Sequence, residues 1–220
     1  LQMATGSYIV FMDQDDLLSE NCLWEIAKAI VQHPQPDIIY SDEDKIDESG
    51  FHQSAYFKPD WSPDHLLAKN YMGHVTVLKK SLIDQVGGLR KEFDGSQDYD
   101  LLLRATEQAN RIVHIPKVLY HWRIHGQSAA WSEEAKPYAY IAAKKALEEA
   151  LVRRGLSGKV HYLSGLRGYR IDYHVAAPKK ITIIIPTKDQ TSLLRNAVDS
   201  IFKLTDYPDY EILVLNNNST

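Results

Sequence analysis

Asp13-Gln14-Asp15-Asp16 places carboxylates one residue apart directly after the apolar run Ser7–Met12. At the end of a strand, such a pair can present oxygens to a hard divalent cation. A cation held there can bridge a diphosphate and neutralise the charge that grows as a bond to it breaks. The competing reading is an acidic turn that starts a helix, because Asp favours helix N-termini. Gly95-Ser96-Gln97-Asp98-Tyr99-Asp100 is the second candidate. With Ser96 as cap, Asp98 falls in the first helical turn, where free N–H groups and the helix dipole favour its ionised form. An ionised carboxylate within reach of a hydroxyl can act as general base, although complementing the dipole is a sufficient role by itself. The third is Tyr120-His121-Trp122-Arg123-Ile124-His125. Its imidazole at His121 can complete a metal site, and Trp122 offers a flat face for a sugar or base ring. His125 reads as a surface group. The acidic run Asp42, Glu43, Asp44, Asp47, Glu48 reads as a solvated turn.

These residues need elements to hold them. Ser7–Met12 is a short continuous apolar run, the pattern of a strand buried on both faces. Ser19 is placed to cap a helix with Leu23, Ile26, Ala27, Ile30 and Val31 along one face, stopped by Pro34 and Pro36. Asp37–Tyr40 returns as a strand. Polar clusters at strand C-termini mark ligand sites in open α/β sheets, and the 13–16 cluster fits that pattern. Ser62-Pro63 predicts a capped helix start, Val75–Leu78 a strand, and Ser81–Val86 a short helix ended by Gly87-Gly88. Arg111–Ile115 and Val118–Trp122 read as two strands split by Pro116-Lys117, followed by a helix over 132–154 and weak hairpins to Pro178. Beyond Pro178, Ile181–Ile185 is a β-branched strand, a helix carries Leu193, Leu194, Ala197, Ile201 and Phe202, and Glu211–Leu215 is a second strand.

The 220 residues are 44% hydrophobic and 25% charged, ordinary globular proportions that disfavour disorder and low-complexity scaffolds. A net charge of −4 argues against nucleic acid as a partner, and the single Cys22 excludes an internal disulfide framework and fits a reducing compartment. No apolar run approaches the roughly 20 residues of a membrane span. The opening residues read as the end of an element, so a piece of a longer chain is expected.

Taken together, these segments resemble the family 2 glycosyltransferases of the GT-A fold, most closely bacterial members of O-antigen and cell-surface polysaccharide synthesis. The resemblance runs from Ala4-Thr5-Gly6 through Tyr40-Ser41-Asp42-Glu43-Asp44-Lys45, Phe57-Lys58-Pro59-Asp60-Trp61-Ser62-Pro63, Asn70-Tyr71, Gly95–Leu101 and His114-Ile115-Pro116, and closes on Leu119-Tyr120-His121-Trp122-Arg123. It implies an α/β fold, a Rossmann-like mixed sheet flanked by helices. Three regions follow: the C-terminal portion of one such domain at 1–130, a helical and hairpin connector at 131–178, and the β-α-β start of a second at 179–220.

By the same resemblance, the metal-binding DxD motif falls on Asp13 and Asp15, with Mn²⁺ or Mg²⁺ as the cofactor, and the catalytic base falls on Asp98. Gln97 stands where relatives carry an acidic residue. His121 occupies the place of a third metal ligand, and Trp61 and Trp122 would line the sugar or acceptor site. In the tail, Thr187 and Asp189 fall in a nucleotide-contacting loop and Asn216 in a base-contacting loop, where many relatives carry Asp. The QxxRW motif of processive synthases is missing. The implied reaction is inverting sugar transfer from a nucleotide-diphosphate sugar to a glycan or lipid-linked oligosaccharide. It would run in the cytoplasm, with peripheral membrane association through the parent protein. Two other readings stand beside it, a haloacid-dehalogenase-like phosphatase with Asp13 as nucleophile and a non-catalytic glycan- or partner-binding piece.

Overall fold

The computed structural model describes residues 1, 3–124 and 137–219 and divides after Tyr173 into two compact units. The first is built on a six-stranded mixed sheet. Its central strand, β3 (Ile38–Ile46), runs parallel to β6 (Ile112–Arg123) on one side. On the other side it pairs antiparallel with β5 (Thr76–Lys79) through its first half and with β4 (His52–Tyr56) through its second. Two edge strands complete the sheet: β1 (Tyr8–Val10) pairs with β5, and the two-residue β2 (Leu17–Leu18) pairs with β6.

Alternation along β3 sorts the core into two faces. Ile38 and Tyr40 join one cluster with Leu66, Leu78, Leu103 and Leu147, whereas Ile39 joins Cys22, Ile26, Val77 and Val113 on the other. Helix α1 (Cys22–Gln32) covers the second face, but not as expected. It starts after Asn21 instead of Ser19 and buries Cys22, Glu25, Ile26 and Ala29, while Leu23 and Val31 face solvent. Buried Glu25 is matched by Lys117 of β6 at 2.5 Å, which makes a carboxylate tolerable on the packed face. On the first face lie α2 (Pro63–Ala68), whose cap Ser62 and first-turn Pro63 match the sequence signature, α3 (Lys80–Gln85) and α4 (Gln97–Thr106).

Three further expectations are corrected. β1 is a half-buried edge strand, since β5 is its only partner in the sheet. The split strands at 111–122 are one strand: Pro116 and Lys117 form a bulge between the Ser41–Ile115 and Asp42–Val118 pairs, a position where Pro loses no ladder bond. The supposed connector also belongs to the first unit. Helix α5 (Pro137–Arg153) buries Ala143, Ala146, Leu147, Ala150 and Leu151 in the main core, and the hairpin β7 (Gly158–Leu163) and β8 (Gly168–Tyr173) adds Val160 and Tyr169. His125 and positions 132–136 of the expected helix lie outside the described residues.

The second unit consists of β9 (Ile181–Thr187), α6 (Thr191–Leu204) and β10 (Tyr210–Asn216), with the two strands parallel as in a β-α-β unit. No helix among the described residues is long and apolar enough to cross a membrane.

Candidate active site

The 13–16 loop leaves the end of β1 and is pinned from below by β6. The Asp13 backbone N–H donates to the Tyr120 hydroxyl at 3.2 Å, and that hydroxyl donates in turn to the Asp16 carboxylate. Asp16 also accepts from the Arg123 backbone N–H at 2.8 Å, and the Arg123 side chain donates to the Asp15 carbonyl at 2.8 Å. Asp16 is therefore the buried strut of the loop. Burial raises its pKa, opposed by the bonds from Tyr120 and Arg123. Asp13 differs, with a side chain that is 65% exposed and His74 Nε2 at 3.8 Å. An exposed carboxylate on a buttressed loop fits a hydrated hard cation, so Asp13 suits the DxD role while Asp16 is consumed by structure.

His74 carries no motif in the sequence reading, yet it is central here. Its ring stacks on Tyr120 at 4.6 Å with planes 17° apart and meets Trp122 edge-on at 6.4 Å. Its backbone is held by half-buried Glu43 and buried Lys58: the His74 N–H donates to Glu43 Oε2 at 2.9 Å, and the Lys58 ammonium donates to the His74 carbonyl at 2.5 Å. Lys58 also donates to Glu43 at 3.0 Å and to the Met72 carbonyl at 2.6 Å. Burial pulls the Lys58 pKa down, and the neighbouring Glu43 opposes the shift. Glycine is required at position 73, where φ is +41° and a Cβ would stand 3.0 Å from Glu43 Oε2.

Asp98 stands in the first turn of α4, as expected. Ser96 occupies the N-cap position, but its hydroxyl donates to the Ala139 carbonyl of α5 at 2.8 Å and does not cap the helix. The Asn70 amide donates to Asp98 Oδ2 at 2.9 Å. The backbone N–H groups of Tyr99 and Asp98 do favour the ionised carboxylate, but desolvation outweighs them and the pKa is raised. Although the residue keeps one side open to solvent, its carboxyl is crowded by protein. The charges of His74 and Asp13 both act on it, His74 lowering its pKa and Asp13 raising it. Two positions on, the fully buried Asp100 turns the other way and pairs with Arg90 and Arg104.

A cleft of about 680 Å³ opens beside Asp98, lined by Asn70, Trp122, Tyr56, Lys69 and Tyr140 among others. Trp122 lines this cleft, whereas Trp61 lines a separate hollow with Thr106, Glu107 and Arg153. His121 faces Asp44 across the β3–β6 pairing. Its Nδ1 lies 2.6 Å from Asp44 Oδ1, within a group of Asp44, His52 and His121. The acidic run at 42–48 is likewise not a solvated turn through its first half. Asp42 and Asp44 are buried in β3, Asp42 accepting from the Lys58 backbone N–H at 2.9 Å and meeting His114 at 2.8 Å. Only the second half of β3 alternates, with Asp44 and Ile46 buried and Glu43 and Lys45 half-buried, a period-2 signal that charge masks in the sequence.

In the tail unit, Thr187, Asp189 and Asn216 gather at the C-terminal ends of the two parallel strands. Asn216 pairs with Thr187, the Asn217 N–H donates to the Thr187 carbonyl at 2.8 Å, and Asn216 Oδ1 accepts from the Ser219 N–H at 2.9 Å. Asp189 and Asn218 take positive φ, 52° and 53°, conformations that Asp and Asn tolerate better than most residues. Ligands of open α/β sheets bind at such strand ends.

No protein-family model matches the chain. Over 215 residues, 98% of its length, it is 40% identical to the O-antigen biosynthesis protein RfbC of Myxococcus xanthus. It is also 44% identical over 222 residues to protein y4gI of Sinorhizobium fredii. The chain spans only 17% and 24% of these two relatives. Among solved structures it is similar to S. aureus TarS 1–349 in complex with UDP, with TM-score 0.49 and 18% identity over 69% of this chain and 42% of that one. A second TarS structure aligns with TM-score 0.48 and 17% identity over 68% of this chain and 26% of that one. The match to RfbC bears out the resemblance to proteins of the O-antigen type, and the mixed sheet flanked by helices bears out the expected α/β architecture.

Proposed function

We propose that the chain carries the acceptor side of a glycosyltransferase of cell-surface polysaccharide synthesis. It would use a nucleotide-diphosphate sugar as donor and a glycan or lipid-linked oligosaccharide as acceptor. The observation that carries this reading is the Asp98 carboxylate, held by the Asn70 amide in the first turn of α4, on the wall of a cleft that Trp122 also lines.

In this reading Asp98 accepts the proton of the acceptor hydroxyl as that oxygen bonds to the anomeric carbon. The bond from that carbon to the diphosphate breaks on the opposite face, so the configuration inverts. A desolvated carboxylate with a raised pKa is a stronger base than an exposed one, which suits proton removal from an alcohol. Asn70 fixes the orientation of that carboxylate. His74, stacked on Tyr120 and next to Asp13, supplies a donor towards the side on which the leaving group's charge grows. Asp13 and Asp15 would hold Mn²⁺ or Mg²⁺, whose chemistry there is neutralisation of the departing diphosphate. Trp122 offers its ring face to the apolar face of a sugar. Within the tail unit taken by itself, Thr187, Asp189 and Asn216, gathered at the ends of its two parallel strands, are proposed as nucleotide contacts.

Calorimetric titration of the chain with UDP, GDP and dTDP, each with and without Mn²⁺, tests this function. The expected outcome is metal-dependent binding of one nucleotide that falls at least tenfold in Asp15→Ala. Absence of binding to all three would leave a non-catalytic binding piece as the better description of these residues.

A further inference from the structure

We propose that Asp44, His52 and His121 form a second cation site, suited to Zn²⁺ and sharing no ligand with the Asp13/Asp15 pair. The three side chains come from three adjacent strands. Asp44 lies opposite His121 in the parallel β3–β6 pairing, and His52 lies opposite Ile46 in the antiparallel β3–β4 pairing. Because side chains alternate along a strand, positions 44 and 46 share a face, and all three groups project from the same side of the sheet. His121 Nδ1 is 2.6 Å from Asp44 Oδ1, and His52 Nδ1 is 2.9 Å from Asp44 Oδ2. The two imidazoles meet edge to face, with centroids 4.5 Å apart and planes at 82°. One ligand atom from each residue falls within 4.8 Å of the others, the only such group of three or more among the described residues.

The donor set identifies the class of ion. Two imidazole nitrogens and one carboxylate oxygen suit Zn²⁺ and its borderline neighbours, whereas Mg²⁺ and Ca²⁺ prefer oxygen throughout. Exposure supplies the remaining coordination. The Asp44 and His121 side chains are 11% and 14% exposed, while His52 is 49% exposed, so the group is walled on the sheet side and open on the other. Water can therefore complete a tetrahedral shell. Without the ion, a single carboxylate bridges two Nδ1 atoms. With it, each Nδ1 would offer its lone pair to the metal in place of its contact with the carboxylate. The bound ion would tie β4, whose only sheet partner is β3, to β6. It would do so on a wall of the Asp98 cleft, because Asp44 lines that cleft as well.

The test is titration of the chelator-treated chain with Zn²⁺ by calorimetry and with Co²⁺ by visible absorption. The wild-type chain is compared with His52→Gln, His121→Gln and the double variant Asp13→Asn/Asp15→Asn. His52 lies half-exposed on a peripheral strand, so His52→Gln is expected to keep its far-ultraviolet circular dichroism. The expected result is one Zn²⁺ per chain, weakened more than about tenfold in each His variant and unchanged in the Asp13/Asp15 double variant. Co²⁺ should give the intense visible bands of a tetrahedral site. Three results would each overturn the proposal: no saturable Zn²⁺ binding, binding that survives both His substitutions, or binding lost only with Asp13 and Asp15.

Discussion

At the scale of single residues, Asp98 and Asp100 show how environment divides two like groups. Both stand in the first turns of α4, yet burial raises the pKa of Asp98 while paired arginines lower that of Asp100. For Asp98 the shift has a kinetic consequence. A base must be deprotonated to act, so kcat/KM should rise with pH along a limb centred above the ordinary carboxylate value of about 3.9. Asp98→Asn should abolish that limb and lower kcat by about 10²- to 10⁴-fold, while nucleotide affinity stays within a few fold, because the proposed donor contacts lie on other residues. A pH–rate profile of wild type and variant, with binding measured in parallel, checks this. An unchanged limb in the variant would remove Asp98 from the chemistry.

At the scale of elements, the turn that presents Asp98 depends on the packing of α4 on its neighbours. Fully buried Asp100 accepts from Arg90 at 3.0 Å and from Arg104 at 2.6 Å, Arg104 continues to the Gly88 carbonyl at 2.7 Å, and Arg90 reaches Glu149 of α5 at 2.9 Å. Burial alone would raise the Asp100 pKa, but the two guanidinium groups prevail and hold it low. Removing one member of such a network leaves buried charge unpaired, so Asp100→Asn should destabilise the first unit by about 3 kcal/mol at neutral pH. The sign with pH follows from linkage. The unfolded carboxyl binds its proton near pH 4, the folded one lower, so the stabilisation is complete above that value and fades as pH falls through the lower one. Denaturant melts should therefore show the gap between wild type and Asp100→Asn closing below about pH 4. A gap independent of pH would assign the effect to packing.

The sequence made α4, its start and the position of Asp98 legible, because a serine at the N-cap position, a first-turn acid and an apolar stripe are local signals, even though the Ser96 hydroxyl bonds to Ala139 instead of capping the helix. It did not reveal His74, and it held Asn70, Lys58 and Glu43 only as members of matching segments, without their roles. Those act through partners that lie 28 positions away for Asn70 and Asp98 and 31 for His74 and Glu43. Charge also disguised the second half of β3. Asp42 and Asp44 look like loop residues until Lys58, His114, His52 and His121 are brought beside them.

At the scale of the whole molecule, the two units differ in how much they bury. In the first, sheet and helices enclose a two-faced core. In the second, α6 has no buried residue, and Ile181, Ile184, Leu213, Leu215 and Phe202 are exposed. A two-stranded sheet with one helix removes too little apolar surface from water to hold its backbone order with the same free energy. Hydrogen exchange should report this directly. Amides of β9 and β10 should exchange roughly a thousandfold faster, relative to intrinsic rates, than those of Ile39 and Val113 in the central strands, a difference of about 4 kcal/mol in opening free energy. Nucleotide with Mn²⁺ supplies the second arm. If Thr187, Asp189 and Asn216 contact the bound nucleotide, its addition should slow exchange at Asp189, Asn217 and Ser219, whose N–H groups belong to that loop network, while leaving α4 beyond its first turn unchanged. Protection confined to the 13–16 loop and α4 would place the whole binding function in the first unit and remove the tail residues from the donor site.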